Sequence, residues 1–206
     1  MPDPDLDAAY ALETPEDNLR LYADWAQTYD QSFAVDMDYQ MPRLVARAFA
    51  DVGQGKTPVL DVGAGTGLLA EGLPAQTVAD ALDISPQMLA IAMEKGLCRA
   101  AIEADLTGTL PCADGTYGAV VSSGTFTHGH VGPDALDELL RVAQSGAVFV
   151  MAINKEHFEA RGFAAKFVLL EPDIEHLDLR SVPIYGAGAV GDHRDDEAYI
   201  AVFFKR

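Results

Sequence analysis

Residues 57–73 read TPVLDVGAGTGLLAEGL. Pro58 to Val62 predicts a short apolar strand, Gly63, Ala64, Gly65, Thr66 and Gly67 a turn, and Leu68 to Leu73 the start of a short helix. A strand that runs straight into a glycine-rich turn and a helix is a nucleotide-cradling βα unit. The glycines let the backbone approach a ligand with no Cβ in the way. The helix N-terminus adds unpaired N–H groups and positive partial charge, which suit an anion. A dinucleotide fingerprint, G-x-G-x-x-G, wants glycine where this chain has Leu68. The pattern here is G-x-G-x-G, preceded by Asp61.

Downstream, Val78 to Asp83 (VADALD) predicts a second strand that ends in an acid. Ser85-Pro86 opens a helix with Met88, Leu89 and Ala92 inward and Gly96 as its stop. Arg99 to Ala104 predicts a third strand, followed by Asp105 and Leu106. Ala119 to Ser123 predicts a fourth, running into SGTFTHGHV at the carboxyl edge where open α/β sheets bind ligands. A helix over Asp134–Ala143, a fifth strand over Ala147–Ile153 and a helix over Glu156–Leu170, weak at Gly162, come next. Two last strands lie within Leu177–Tyr185 and Ala198–Phe204.

Upstream, Thr14 to Tyr29 predicts a helix capped by Thr14 with Pro15 at its first position. Leu19, Tyr22, Trp25, Ala26 and Tyr29 follow at helical spacing, and Asp38 to Val52 predicts a second helix. Met1 to Glu13 reads as a mobile acidic tail. Residues 1–52 are therefore read as a tail with two lid or flanking helices, and 53–206 as an α/β domain, together one compact unit.

A length of 206 residues suits one α/β domain and is short for two. The formal net charge of −18 repels phosphate backbones and anionic lipid, which argues against nucleic acid and membrane as partners. The longest apolar run, Ala147 to Ile153, is too short to span a bilayer. The acidic start MPDPDLDAAY lacks the basic region of a secretory signal. Cys98 and Cys112 form no metal or redox spacing. These features point to a cytoplasmic protein.

VLDVGAGTG resembles motif I of class I S-adenosylmethionine-dependent methyltransferases, and LDISPQML, after the second strand, resembles their motif II. ADWAQTYDQSF resembles the W-x-x-x-Y-D element that lies over the cofactor in small-molecule members. LPCADGTYG resembles the turn into their fourth strand, with Gly118 where an acid is usual. YADWAQTYD, SGTFTHGHV and LLRVAQSGAVFVMAI together are most similar to the methyltransferase-like proteins named after the Williams-Beuren syndrome region.

The resemblance implies a Rossmann-like α/β three-layer sandwich, its seven-stranded sheet mostly parallel with strand 7 antiparallel beside strand 5. It implies S-adenosyl-L-methionine as cofactor. Gly63, Ala64, Gly65 and Gly67 would pass under the methionine part, and Tyr22, Trp25 and Tyr29 would lie over it. Asp83 would accept from the ribose diol, a device that nicotinamide enzymes share. Ile84 and Met88 would flank the adenine; Asp105 would reach its amino group and the Leu106 N–H a ring nitrogen. Asp61 and Ser123 complete the expected cofactor contacts.

The sulfonium methyl is already electrophilic, so the protein's main task is alignment and exclusion of water. A base is needed only for a protonated acceptor. His128, just past the fourth strand, is the candidate, with an inert loop histidine the competing reading. His130 beside it does not make a metal site. Tyr185 and His193 are further candidates for the acceptor pocket. Pro111-Cys112 precedes the fourth strand, so it is structural rather than a nucleophile motif. With no insertion long enough for a substrate domain, the expected partner is a small-molecule methyl acceptor; the oligomeric state is left open. Two readings stand beside this one: a regulatory or partner protein that binds the cofactor without catalysis, and an NAD(P)-dependent oxidoreductase, disfavoured by Leu68 and DISPQML.

Overall fold

Alternation along the central strands builds two cores, one on each face of a single sheet. In Ala143–Asn154, Phe149, Met151 and Ile153 join one apolar cluster while Val148, Val150 and Ala152 join the other. Burial on both faces explains why this strand is a continuous apolar run. The computed structural model describes residues 15–35, 37–127, 131–189 and 192–206.

The strands are β1 (Val59–Val62), β2 (Ala79–Asp83), β3 (Ala100–Glu103), β4 (Tyr117–Phe126), β5 (Ala143–Asn154), β6 (Ile174–Pro183) and β7 (Glu197–Lys205). Their order in the seven-stranded sheet is β3-β2-β1-β4-β5-β7-β6. β1 to β5 are parallel, and β7 runs antiparallel between β5 and β6. One layer holds α1 (Pro15–Trp25), α2 (Met41–Val52), α3 (Leu68–Gly72) and α4 (Pro86–Glu94). The other holds α5 (Ala135–Val142), α6 (Lys155–Arg161) and α7 (Phe163–Leu170). This is the mixed, mostly parallel Rossmann-like sandwich expected. No helix among the described residues is long and apolar enough to cross a membrane.

Three local differences bear on the site. α2 begins at Met41 instead of Asp38, because Asp38 takes φ 51° and its carbonyl accepts from the Gly186 N–H at 2.8 Å. Tyr39 then bridges to Tyr185, and the Gln40 N–H donates to the Ile184 carbonyl at 2.9 Å. The helix over Glu156–Leu170 is two helices, α6 and α7, broken by Gly162 at φ 78°. The third concerns the N-terminal helix, which stops at Trp25 and continues, after a turn, as a π-helix over Asp30–Val35.

Trp25 is 1 % exposed and packs in the cluster that holds Met41, Val45, Ile184 and Tyr185. Of the two roles expected for this helix, lid or flanking element, the burial of Trp25 fits the flanking one, and Trp25 itself does not lie over the cleft. Helical spacing marks one face of the helix but not its neighbours: Trp25 joins the cluster on that side of the sheet, and the helix also contacts α4. Gly118 also gains a physical reason. A Cβ there would sit 2.7 Å from the Thr57 backbone nitrogen, where the chain enters β1.

Candidate cofactor and acceptor site

The carboxyl ends of β1, β2, β3 and β4 open into one cleft. Its floor is the glycine turn. The Gly63 and Ala64 N–H groups donate to the Leu82 carbonyl at 2.8 and 3.0 Å, which ties the end of β1 to β2. Gly63 has φ 64°, and a Cβ there would lie 1.9 Å from Thr125 Oγ1. The Ser122 and Thr125 hydroxyls donate to the Val62 carbonyl at 2.8 and 2.9 Å and close the floor against β4. Gly65 has φ 54° and nothing within 4 Å of a built Cβ, so its open side faces the cleft it lines.

Asp83 stands at the tip of β2 in the cleft wall. The Gly65 and Ser85 N–H groups each donate to its carboxylate at 2.8 Å. Burial raises its pKa above the usual carboxylate range, opposed by N–H donation from Ser85, Gly65 and Ile84. The Ser85 hydroxyl accepts from the Met88 N–H and caps α4, which brings Met88 to the wall beside Ile84. Asp105 and Leu106 line the far side, where Asp105 accepts from the Thr107 N–H at 2.8 Å.

Asp61 is 1 % exposed, and neither carboxylate oxygen has a hydrogen-bond partner among the described residues. Burial, with the charge of Asp83 added, pushes its pKa up to about 8. A buried carboxylate left unsatisfied is costly and asks for an explanation. Such a group beside a glycine turn suits a cationic ligand group near that turn.

Tyr22, Tyr29 and Tyr39 form the other wall with Ser123, Val131 and Arg161. Burial raises the pKa of all three phenols, and neighbouring charges add to the shift. They stay protonated and can donate or accept hydrogen bonds, but do not supply phenolate.

Of the expected cofactor residues, Tyr22, Tyr29, Gly63, Ala64, Gly65, Asp83, Ile84, Met88, Asp105, Leu106 and Ser123 share this one cleft. Trp25, Asp61 and Gly67 do not line it. Trp25 stacks on Tyr22, with ring centroids 6.1 Å apart, and supports the wall from behind. Gly67 has φ 88°, and a Cβ there would sit 2.8 Å from Leu97 Cδ1; its role is close packing of the turn against α4 and Leu97. His128 and His130 lie outside the described residues. Tyr185 packs against Tyr39 behind the wall, and His193 pairs with Asp196 at 3.1 Å; neither lines the cleft. Cys112 sits in the turn before β4, also outside the lining. Tyr39, Thr125 and Arg161 were missed. Tyr39 fell inside an expected helix, Thr125 beyond an expected strand end, and only Gly162 hinted at Arg161.

Comparison with known proteins agrees with this geometry. Residues 60–151 match the family model described as a methyltransferase domain. The human methyltransferase-like protein 27 is 33% identical over 147 residues, 68% of this chain and 60% of that protein, so the chain spans under two thirds of its relative. An S-adenosylmethionine-dependent methyltransferase from Aquifex aeolicus superposes with TM-score 0.57 at 19% identity, over 88% of this chain and 97% of that one. The [4+2]-cyclase SpnF superposes with TM-score 0.68 at 16% identity, over 95% and 97%. Residues 60–151 thus form a methyltransferase domain, on the fold of the class I S-adenosylmethionine-dependent methyltransferases, for which the cofactor is S-adenosylmethionine.

Proposed function

We propose that this protein transfers a methyl group from S-adenosylmethionine to a small-molecule acceptor. One observation carries the reading: the tips of three adjacent strands put the glycine turn, Asp83 and the Asp105–Leu106 pair on one cleft, and that cleft continues under Tyr22, Tyr29 and Tyr39. The first part fits the cofactor, and the remainder is space for an acceptor. Asp83 would accept from the ribose hydroxyls, Ile84 and Met88 would pack the adenine, and Gly63 to Gly65 would admit the methionine backbone. Asp61, unsatisfied within the fold, would supply charge for the ammonium. The bound cofactor supplies a methyl group already activated on a sulfonium.

The chain's own work is then alignment. The three phenols present hydrogen-bonding tips on an apolar wall and keep water from the acceptor. No histidine, lysine or cysteine among the described residues lines the cleft. His128 therefore remains the base we propose for acceptors that arrive protonated. An acidic surface disfavours nucleic acid and anionic membrane, and a cytoplasmic location fits that reading.

The second reading, a cofactor-binding regulatory or partner protein without catalysis of its own, draws on the same absence of a described base. A cyclase with this fold illustrates that the architecture alone does not dictate methyl transfer.

Calorimetry with S-adenosylhomocysteine, S-adenosylmethionine and NAD tests the ligand. Asp83→Asn should weaken S-adenosylhomocysteine at least tenfold, as loss of charge-assisted bonds worth ~1.5–3 kcal/mol requires. Methyl-labelled cofactor incubated with fractionated metabolites tests the reaction. Binding of NAD alone would reject the proposal. Tight S-adenosylmethionine binding with no labelled product in any fraction would favour the second reading.

A further inference from the structure

The acceptor wall of the cleft holds one positive group among the described residues, the guanidinium of Arg161. Asp83 and Asp105, the acids that line the cleft, belong to β2 and the end of β3. Arg161 follows β5, and β2 and β5 are separated by β1 and β4. Three strand spacings make that about 14 Å. The two signs of charge therefore occupy opposite ends of the cleft.

The position is built. Arg161 is the last residue of α6, stopped by Gly162, whose N–H donates to the Phe158 carbonyl. His157 and Phe158 are buried on the same short helix, and His157 Nε2 lies 2.9 Å from the Val131 carbonyl. The helix end is thus pinned both to the core and to the segment after β4. The guanidinium lies over Gly132, where a built Cβ would sit 3.6 Å from Nη2. The sequence has 32 acids against 14 lysines and arginines, yet Arg161 makes no ion pair with any described residue. Arg99, Arg141, Arg180, Arg194 and Arg206 do, while Arg20, Arg43 and Arg47, which do not line the cleft, also make none among the described residues.

We infer that the methyl acceptor is a small organic acid, a carboxylate or phosphate on an apolar body, and that Arg161 binds its anionic group. The proposal rests on the methyltransferase reading for the word acceptor. The chemistry is direct: a guanidinium offers a planar fork of donors that fits carboxylate and phosphate oxygens. On a chain of net charge −18, the general field repels anions, so an anionic ligand needs a local cation. The apolar body would lie along Tyr22, Tyr29, Tyr39 and Val131, between that anchor and the glycine turn. A cationic acceptor would instead find no carboxylate among the described residues at this end of the cleft.

The test is calorimetry on the full-length chain, with and without saturating S-adenosylhomocysteine. The probes are phenylacetate, hexanoate and phenyl phosphate, with phenylacetamide and phenethylamine as neutral and cationic controls. At least one acid should bind more tightly than both controls. Arg161→Gln should weaken that acid at least tenfold and leave S-adenosylhomocysteine within twofold. Arg161→Lys should recover part of the loss, since it keeps the charge and loses the fork. Preference for phenyl phosphate over phenylacetate, or the reverse, identifies the anionic group. No binding of any acid to the wild type, equal binding of phenethylamine, or acid affinity indifferent to Arg161→Gln overturns the inference. Failure of S-adenosylhomocysteine to bind the wild type counts against the methyltransferase reading instead, because the acid titrations without it stand on their own.

Discussion

Lys95 Nζ lies 2.6 Å from the carboxylate of Asp30, and the other oxygen of that carboxylate accepts from the hydroxyl of Thr66 in the glycine turn. Asp30 opens the π-helix that follows α1, so one side chain fastens the N-terminal segment to the floor of the cleft. Lys95 also meets Glu71 at 2.8 Å. Partial burial works against the Lys95 charge, and the hydrogen bonds it donates to Asp30 and Glu71 more than restore it, leaving its pKa raised.

The fastening should be weak in energy and visible in dynamics. The pair is partly exposed, with side chains 27% and 37% accessible, so a double-mutant cycle of Asp30→Asn and Lys95→Met should give ~0.5–1 kcal/mol, falling with salt. Amide exchange over residues 15–35 should speed up in Asp30→Asn, while β4 and β5 stay protected. Unchanged exchange across that segment would mean packing alone holds it.

Trp25 carries the larger share of that packing. Trp25→Ala should cost about 3–5 kcal/mol, the usual range for a buried aromatic. Thermal or urea unfolding measures it. A loss below about 1 kcal/mol would restore the view of α1 as a lid resting on a complete core.

The two glycines of the turn should separate binding from folding. Gly65→Val projects into open space at φ 54°, so it should cost ~1–2 kcal/mol of strain and abolish S-adenosylhomocysteine binding. Gly67→Ala meets Leu97 and Ala92, so it should lower the melting temperature and largely spare affinity. Titration calorimetry beside thermal melts checks both; the reverse pattern would exchange their roles.

Asp61 predicts a pH dependence whose sign follows from its raised pKa. The group titrates near 8 in the fold and near 3.9 in the unfolded chain, so the native state holds the extra proton between roughly pH 4 and 8. Stability therefore falls as pH rises through that window, by up to about 1.4 kcal/mol per pH unit. Asp61→Asn should flatten the slope measured by urea unfolding. At pH 7, S-adenosylhomocysteine should expel up to about one proton from wild type, seen as calorimetric heats that depend on the buffer. Equal proton release from Asp61→Asn would assign that proton to another group.

Features tied to a strand end were legible in the sequence. The apolar runs, the glycine turn and Asp83 each sit a fixed few residues from a strand tip, and strand tips set the sheet edge where ligands lie. Features set by tertiary contact were not. Helical spacing at Tyr22, Trp25 and Tyr29 gives a face but not its neighbour, so Trp25 went to the core and its two companions to the cleft. Tyr39 depends on the positive φ of Asp38 and a bridge to Tyr185, far along the chain. Arg161 depends on where α6 breaks and on how its end meets Val131. The strings around Asp61 matched a family motif, yet its isolation from both solvent and hydrogen-bond donors is a property of the packed sheet.

The placement of β7 between β5 and β6 has a temporal consequence. On a ribosome, β5 and β6 are synthesised before β7, and neither pairs with the other. Until Glu197–Lys205 emerges, β5 presents an open edge and β6 has no sheet to join. Unpaired edges of this kind template association between chains. The nascent chain therefore passes through a window, closed when β7 pairs, in which the β5 edge is open to association with other chains.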